Sequence, residues 1–195
     1  QDIRFTRAFM TSVLRVLAGT STNLLLIVLS AYPLSLERPW RGRPLFKLYL
    51  LFAMLFSGGL IPTYMLIKNL GLIDNVWVLI LPGAVPIWSI IIMTNFFRGI
   101  PPELAEAAHL DGASHWDILF RVFLPVSKPG LATLALFGAV GHWNSWFDGL
   151  IYMNNSAKYP LQSYLQTVVI RGDQTGFVVD PEQIQRLSRP ALRAA

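Results

Sequence analysis

Charged residues vanish from four stretches of the chain: 16–36, 48–67, 75–97 and 129–147 hold 21, 20, 23 and 19 residues without Asp, Glu, Lys or Arg. A helix rising about 1.5 Å per residue needs roughly 20 residues to cross a hydrocarbon core of about 30 Å. Buried helices of soluble proteins are shorter and keep a polar face, whereas these stretches are apolar all round. The pattern predicts an all-α fold, a polytopic transmembrane helical bundle with four spans, forming one domain over residues 1–195. Two of the spans carry helix breakers: Gly58-Gly59 and Pro62 in the second, Pro82-Gly83 and Pro86 at the start of the third. Such breaks either kink a helix at a packing contact or leave backbone lining a cavity.

Composition sharpens this picture. The chain is 53% hydrophobic and 14% charged, against about a quarter charged in soluble domains, and its mean hydropathy is +0.48. The absence of cysteine rules out disulfides and thiolate metal sites. The net charge of +5 is spread over short connectors, so it argues for an orientation signal and against a nucleic-acid surface. Connectors one and three hold Arg38, Arg41, Arg43, Lys47, Arg98, Arg121 and Lys128, against Lys68 alone in connector two. Those two connectors are therefore expected in the cytoplasm. Arg4, Arg7 and Arg15, ahead of the first span, run against that assignment. After Met153 the chain turns polar, and 153–195 reads as an extracytoplasmic loop. The first residue is Gln1 and the last two are Ala194-Ala195, so the chain reads as a piece cut at both ends.

The longest internal connector, 98–128, carries the most specific pattern. Pro101-Pro102 suits a helix start, and Glu103 and Glu106 sit where the helix dipole favours negative charge. Asp111-Gly112 ends that helix, and Ser114 with Asp117 forms a capping box for a second one. Trp116, Leu119, Phe120 and Phe123 then fall at i, i+3, i+4, i+7, one apolar stripe that Pro125 should stop. A cytoplasmic apolar face needs cover, from lipid headgroups or from a groove on a partner protein.

Glu106-Ala107-Ala108, three residues, Gly112, then Val122, one residue, Leu124-Pro125 resembles the Glu-Ala-Ala loop of ABC importer permeases. The one departure is Val122 where the family pattern has Ile. Leu124 to Thr133, Trp143-Asn144, Tyr159-Pro160-Leu161-Gln162, Arg41-Gly42-Arg43 and Pro101-Pro102-Glu103-Leu104 are similar to the maltose-type, carbohydrate-uptake branch. The resemblance implies a permease subunit of about six spans, four of them visible here, in the cytoplasmic (inner) membrane of a prokaryote. It translocates a sugar or oligosaccharide beside ABC ATPase subunits, a second homologous permease and an extracytoplasmic solute-binding protein.

It also implies that 98–128 is the loop coupling transport to ATP hydrolysis. Glu106 would make a polar contact with the ATPase, Ala107 and Ala108 would allow close approach, and Gly112 would set the angle between the two helices. Trp116, Leu119, Phe123, Leu124 and Pro125 complete the coupling loop. No Gly-x-x-x-x-Gly-Lys-Ser/Thr motif occurs, so no cofactor is expected in this chain, with ATP and Mg on the partner ATPase. No catalytic triad or metal-ligand spacing is apparent. Span four holds His142, Trp143, Asn144 and Trp146, polar and aromatic groups suited to a sugar pathway. Trp146 equally suits an interfacial aromatic belt. On a straight helix, Asp148 would lie about 27 Å from Gly130, near the outer surface. The rival to an ATP-driven importer is an ion-coupled secondary transporter using His142 and Asp148 as a proton relay.

Overall fold

The structure, a computed structural model, describes residues 3–36 and 41–176, with side chains through residue 170. The turn residues 37–40 and the polar tail from 177, with Asp180-Pro181-Glu182 and Arg189-Pro190-Ala191-Leu192-Arg193, lie outside the described residues. All regular structure among the described residues is helical.

Helix α1 (Ile3–Ser35) is the axis of the molecule and the one described helix that is long and apolar enough to cross a membrane by itself. It starts well before the charge-free stretch. Arg4, Arg7 and Arg15 therefore belong to the helix and not to a connector ahead of it. Arg15 is 2% exposed and forms an ion pair, so it is a bundle residue and carries no orientation signal. The last carbonyls of α1 lack intrahelical donors. Arg43 donates from Nη1 to Leu36 O (2.7 Å) and from Nη2 to Leu34 O (2.6 Å), and Arg98 Nη2 reaches Leu34 O at 3.2 Å. Basic residues of connectors one and three thus cap the same end of α1.

The second apolar stretch is not one straight span. It folds as α2 (Arg43–Leu55) and α3 (Leu60–Asn69), whose axes meet at a 113° bend. Gly59, with φ +84°, takes a left-handed conformation that other residues resist, and this is where the chain turns. The third stretch is broken as its prolines suggest. Two 3₁₀ turns (Val76–Leu79 and Leu81–Gly83) lead through Pro86 into α4 (Ile87–Arg98) at a 53° bend.

Next come α5 (Pro102–Leu110) and a helical run, His115–Val126, made of α6 (His115–Ile118), a π-turn (Leu119–Phe123) and α7 (Leu124–Val126). Pro125 does not stop this run as expected. The π-turn just before it absorbs the missing N–H, with Leu124 N donating to Leu119 O. An 81° bend then opens α8 (Lys128–Asn144), followed by α9 (Phe147–Tyr152) and α10 (Leu161–Gly176). The last of these is a helix within the stretch read as an extracytoplasmic loop.

α1 packs mainly on α8 and α4. One core forms near its C-terminal end, where Ile27, Ala31 and Tyr32 meet Ile90, Met93 and Phe97 of α4 and Leu119 and Phe123 of the helical run. A smaller one joins Ile67, Val78, Leu79, Tyr152 and Met153, beside an ion pair of Asp74 with Lys158 (2.9 Å). Hydrogen bonds from Lys158 and the Asn155 N–H hold the Asp74 carboxyl below the usual carboxylate range. Outward from the bundle, α2 exposes Leu45, Leu48, Leu51, Phe52 and Leu55, as a lipid-facing helix does.

Small residues let the long helices approach. A Cβ on Gly130 would meet the Phe96 ring at 2.9 Å. Gly130→Leu should therefore separate α8 from α4, at a cost of about 1–3 kcal/mol for overpacking. A thermal melt of the detergent-solubilised protein checks this, and an unchanged midpoint would contradict the packing described.

Candidate functional site

Two places gather polar chemistry: the 98–128 loop at one end of the bundle and a cavity among its helices. In the loop, α5 ends at Leu110, and Gly112 turns the chain with φ +81°. The Ser114–Asp117 capping box is formed in both directions. The Ser114 hydroxyl and backbone N–H, and then nearby Arg121, hold the Asp117 carboxyl below the usual range. Its stabilising effect on the cap is therefore complete above about pH 4, the ordinary carboxylate value, and is lost as pH falls through the lowered one.

The apolar stripe divides in two. Leu119 and Phe123 are buried, Phe123 standing edge-on to Tyr32 and Phe97 with ring centroids 5.2 and 5.4 Å apart. Those two residues fasten the loop to the bundle and are not available to a partner. The Tyr32 hydroxyl adds a 3.1 Å contact to His115 Nδ1. Trp116 and Phe120 stack on one another and remain 60% and 57% exposed, beside Leu110 at 89%. Glu106 and Ala107 are exposed, Ala108 and Leu124 half-buried, and Pro125 exposed. Between the two short helices lies a hollow of about 400 Å³ lined by Ala108, Gly112, Asp117 and Arg121 among others. The loop is a concave, partly apolar surface with a carboxylate at its rim.

The second place is a cavity of about 340 Å³ between α1, the broken lead-in to α4, and the α8–α9 break. Ser12, Arg15, Gly19 and Asn23 fall every three or four residues on α1, one stripe on one face. Three of them answer backbone groups freed by breaks elsewhere. Ser12 Oγ accepts from Leu161 N at the start of α10 (2.7 Å). Arg15 Nη1 donates to Ser145 O (3.0 Å), where α8 stops. Asn23 Nδ2 donates to Gly83 O (2.8 Å) and Ala84 O (3.0 Å), where the third stretch unwinds. Backbone without partners is costly at membrane depth, so this stripe is what makes the breaks tolerable. Gly19 leaves room for the His142 ring, whose Nε2 lies 2.6 Å from Asn23 Oδ1.

Because α8 ends at Asn144 and α9 starts at Phe147, Asp148 does not continue a straight helix to the outer surface. The break swings it back onto Arg15, and the two form an ion pair. Of the four pathway candidates in span four, only His142 lines the cavity. Trp143 packs edge-on against Phe9 at 6.0 Å, while Asn144 and Trp146 are exposed. Ser145 lines it as well, and so do Arg15 and Asn23, which the span-four pattern does not announce. Their signal in the sequence is the spacing of Arg15, Gly19 and Asn23 within an otherwise apolar helix. Among the described residues, no group of three or more His, Cys, Asp or Glu converges as a metal site.

The family described as binding-protein-dependent transport system inner membrane component matches residues 4–173. Protein LplC of Bacillus subtilis (strain 168) is 47% identical over 171 residues, 88% of this chain and 58% of that protein. The polygalacturonan/rhamnogalacturonan transport system permease YtcP of the same organism is 43% identical over 84% of this chain and 57% of its own length. The diacetylchitobiose uptake system permease NgcG of Streptomyces coelicolor is 32% identical over 74% of this chain and 49% of its own. A solved bacterial ABC transporter involved in the import of the acidic polysaccharide alginate superposes with a TM-score of 0.84 at 34% identity. It covers 96% of this chain and 65% of its own. The chain thus spans less than three fifths of these curated relatives.

Proposed function

Since this chain belongs to the family of binding-protein-dependent transport system inner membrane components, we propose that it is the permease subunit of an ATP-driven importer of sugars or oligosaccharides. The observation that carries this reading is the 98–128 loop: Ala108 and Gly112 line a hollow, and Glu106, Ala107, Trp116 and Phe120 are exposed on the same loop at one end of the bundle. An ATPase subunit held there by shape and apolar contact would tilt the two short helices when it closes on ATP. Tyr32, Phe97 and Phe123 tie those helices to α1 and α4, so the tilt would reach the cavity through packed side chains. ATP and Mg would bind the ATPase, and a second permease and a solute-binding protein would complete the importer. The carbohydrate transport named for YtcP and NgcG supports the substrate class.

One observation favours a second reading, an ion-coupled transporter: His142 and Asp148 line the same cavity. Each is already engaged, His142 with Asn23 and Asp148 with Arg15, which weakens a proton relay between them.

The orientation follows from the loop's role and is open to test in intact cells of the host, with the rest of the protein present. Cysteines at Arg41 and Ser114 should react only with reagents that enter the cytoplasm, and one at Asn155 only with impermeant external reagents. Adding the ATPase subunits to inside-out vesicles should shield a cysteine at Phe120. Labelling of Ser114→Cys from outside would reverse the topology and remove the docking role.

A further inference from the structure

Most polar atoms of the cavity are already committed. Asn23 uses both ends of its amide, Nδ2 on the carbonyls of Gly83 and Ala84 and Oδ1 toward His142. Arg15 turns its guanidinium to Asp148 and to the Ser145 carbonyl, and its side chain is 3% exposed. Asp148 Oδ1 accepts from three donors: Arg15 Nη1 (3.3 Å), the Ser145 hydroxyl (2.7 Å) and the Gly149 N–H (3.2 Å). Asp148 Oδ2 accepts from Arg15 Nη2 alone, and a carboxylate oxygen has two lone-pair sites. The Asp148 side chain is 24% exposed. Between the two charges, the one a ligand can reach is therefore the negative one, with its cation buried behind it.

This arrangement discriminates by charge. A sugar hydroxyl would donate to Oδ2 and fill its open site without adding charge. A sugar carboxylate would bring a second negative group beside Asp148, and Arg15 is already neutralised. Phe137 on the wall is exposed and offers apolar surface to the C–H face of a ring.

We propose that Asp148 is a specificity-determining residue of the transport pathway, accepting hydroxyls of an uncharged sugar unit through Oδ2 and disfavouring a carboxylated one, with Arg15 as its positioning residue. The proposal rests on the sugar-importer reading above. The preferred unit differs in charge from the acidic polysaccharide of the solved transporter that this chain superposes on and from the polygalacturonan named for YtcP.

The test is uptake by the complete importer in vesicles, offered digalacturonate and its methyl ester, one skeleton in a charged and an uncharged form. Wild type should take up the ester at least about tenfold faster than the acid. Arg15→Leu/Asp148→Asn removes both charges together and should bring the two rates to within about twofold of one another, with a raised KM for the ester. Asp148→Glu should keep the preference, and Asp148→Asn alone should shift it toward the acid. The binding protein is the same throughout, so the change in ratio reports this cavity. A double variant with the wild-type ratio would overturn the proposal and leave the importer reading standing, as would a wild type that prefers the acid. Uptake by wild type that proceeds equally without ATP would overturn both.

Discussion

Replacing Gly112 with valine should cut ATP-dependent uptake by roughly 5–30-fold while leaving the protein in the membrane at its normal level. The physical cause is conformational and not steric. A Cβ at Gly112 has no neighbour within 4 Å, so there is room for a side chain. The backbone, however, sits at φ +81°, where a side chain costs roughly 1–2 kcal/mol and a β-branched one the most. Relief of that strain rotates α5 against the helical run behind Ser114 and distorts the hollow between them. Aspartate tolerates the left-handed region better, so Gly112→Asp should be milder. Glu106→Lys should act on the same step by reversing an exposed charge on α5, with no backbone change. The readouts are ATPase co-purification and substrate-stimulated ATP hydrolysis, both of which should fall together with uptake. Full uptake by Gly112→Val and Glu106→Lys would remove the coupling role from this loop.

Arg15→Leu should be the most destabilising single change in the bundle, by about 3–5 kcal/mol, because it leaves the Asp148 carboxylate partly buried with no cation. The fall should appear as lost abundance in the membrane and as an earlier thermal transition in detergent. Arg15→Leu/Asp148→Asn should recover most of that loss, since no net charge then remains at the site. Recovery in the double variant separates loss of a charge balance from loss of packing by the long Arg15 side chain. A single variant as abundant as wild type would mean that the pair does not hold α1 to the α8–α9 break.

Local chemistry was legible in the sequence where one segment settles it. The capping box at Ser114, the glycine turn at Gly112 and the breaks at Gly58-Gly59 and Pro82-Gly83 need only their neighbours, and each appears in the structure. The family and the all-helical fold were legible for the same reason, from the spacing of Glu106 to Pro125 and from charge-free stretches. What stayed hidden is long-range. Arg15 meets Asp148 across 133 positions and Asn23 meets His142 across 119, and no local pattern announces such partners. Arg15 looked like a flanking charge because a charge-free window marks the apolar core of a span, not the ends of its helix. The spacing of Trp116, Leu119, Phe120 and Phe123 makes one face on a regular helix, yet a π-turn intervenes and Leu119 and Phe123 are buried in the core, Phe123 against Tyr32 and Phe97. The partner of Asp148 stayed hidden for a related reason: α8 ends at Asn144, and the direction a side chain takes after a break is not given by residue spacing.

The most direct measurement is sugar uptake by the complete importer in sealed vesicles, with ATP supplied or withheld on the side that carries the 98–128 loop. Uptake should require hydrolysable ATP on that side and should persist when ionophores collapse every ion gradient. Uptake that proceeds without ATP and follows an imposed proton gradient, lost in His142→Ala, would contradict the coupling-loop account and establish the ion-coupled alternative.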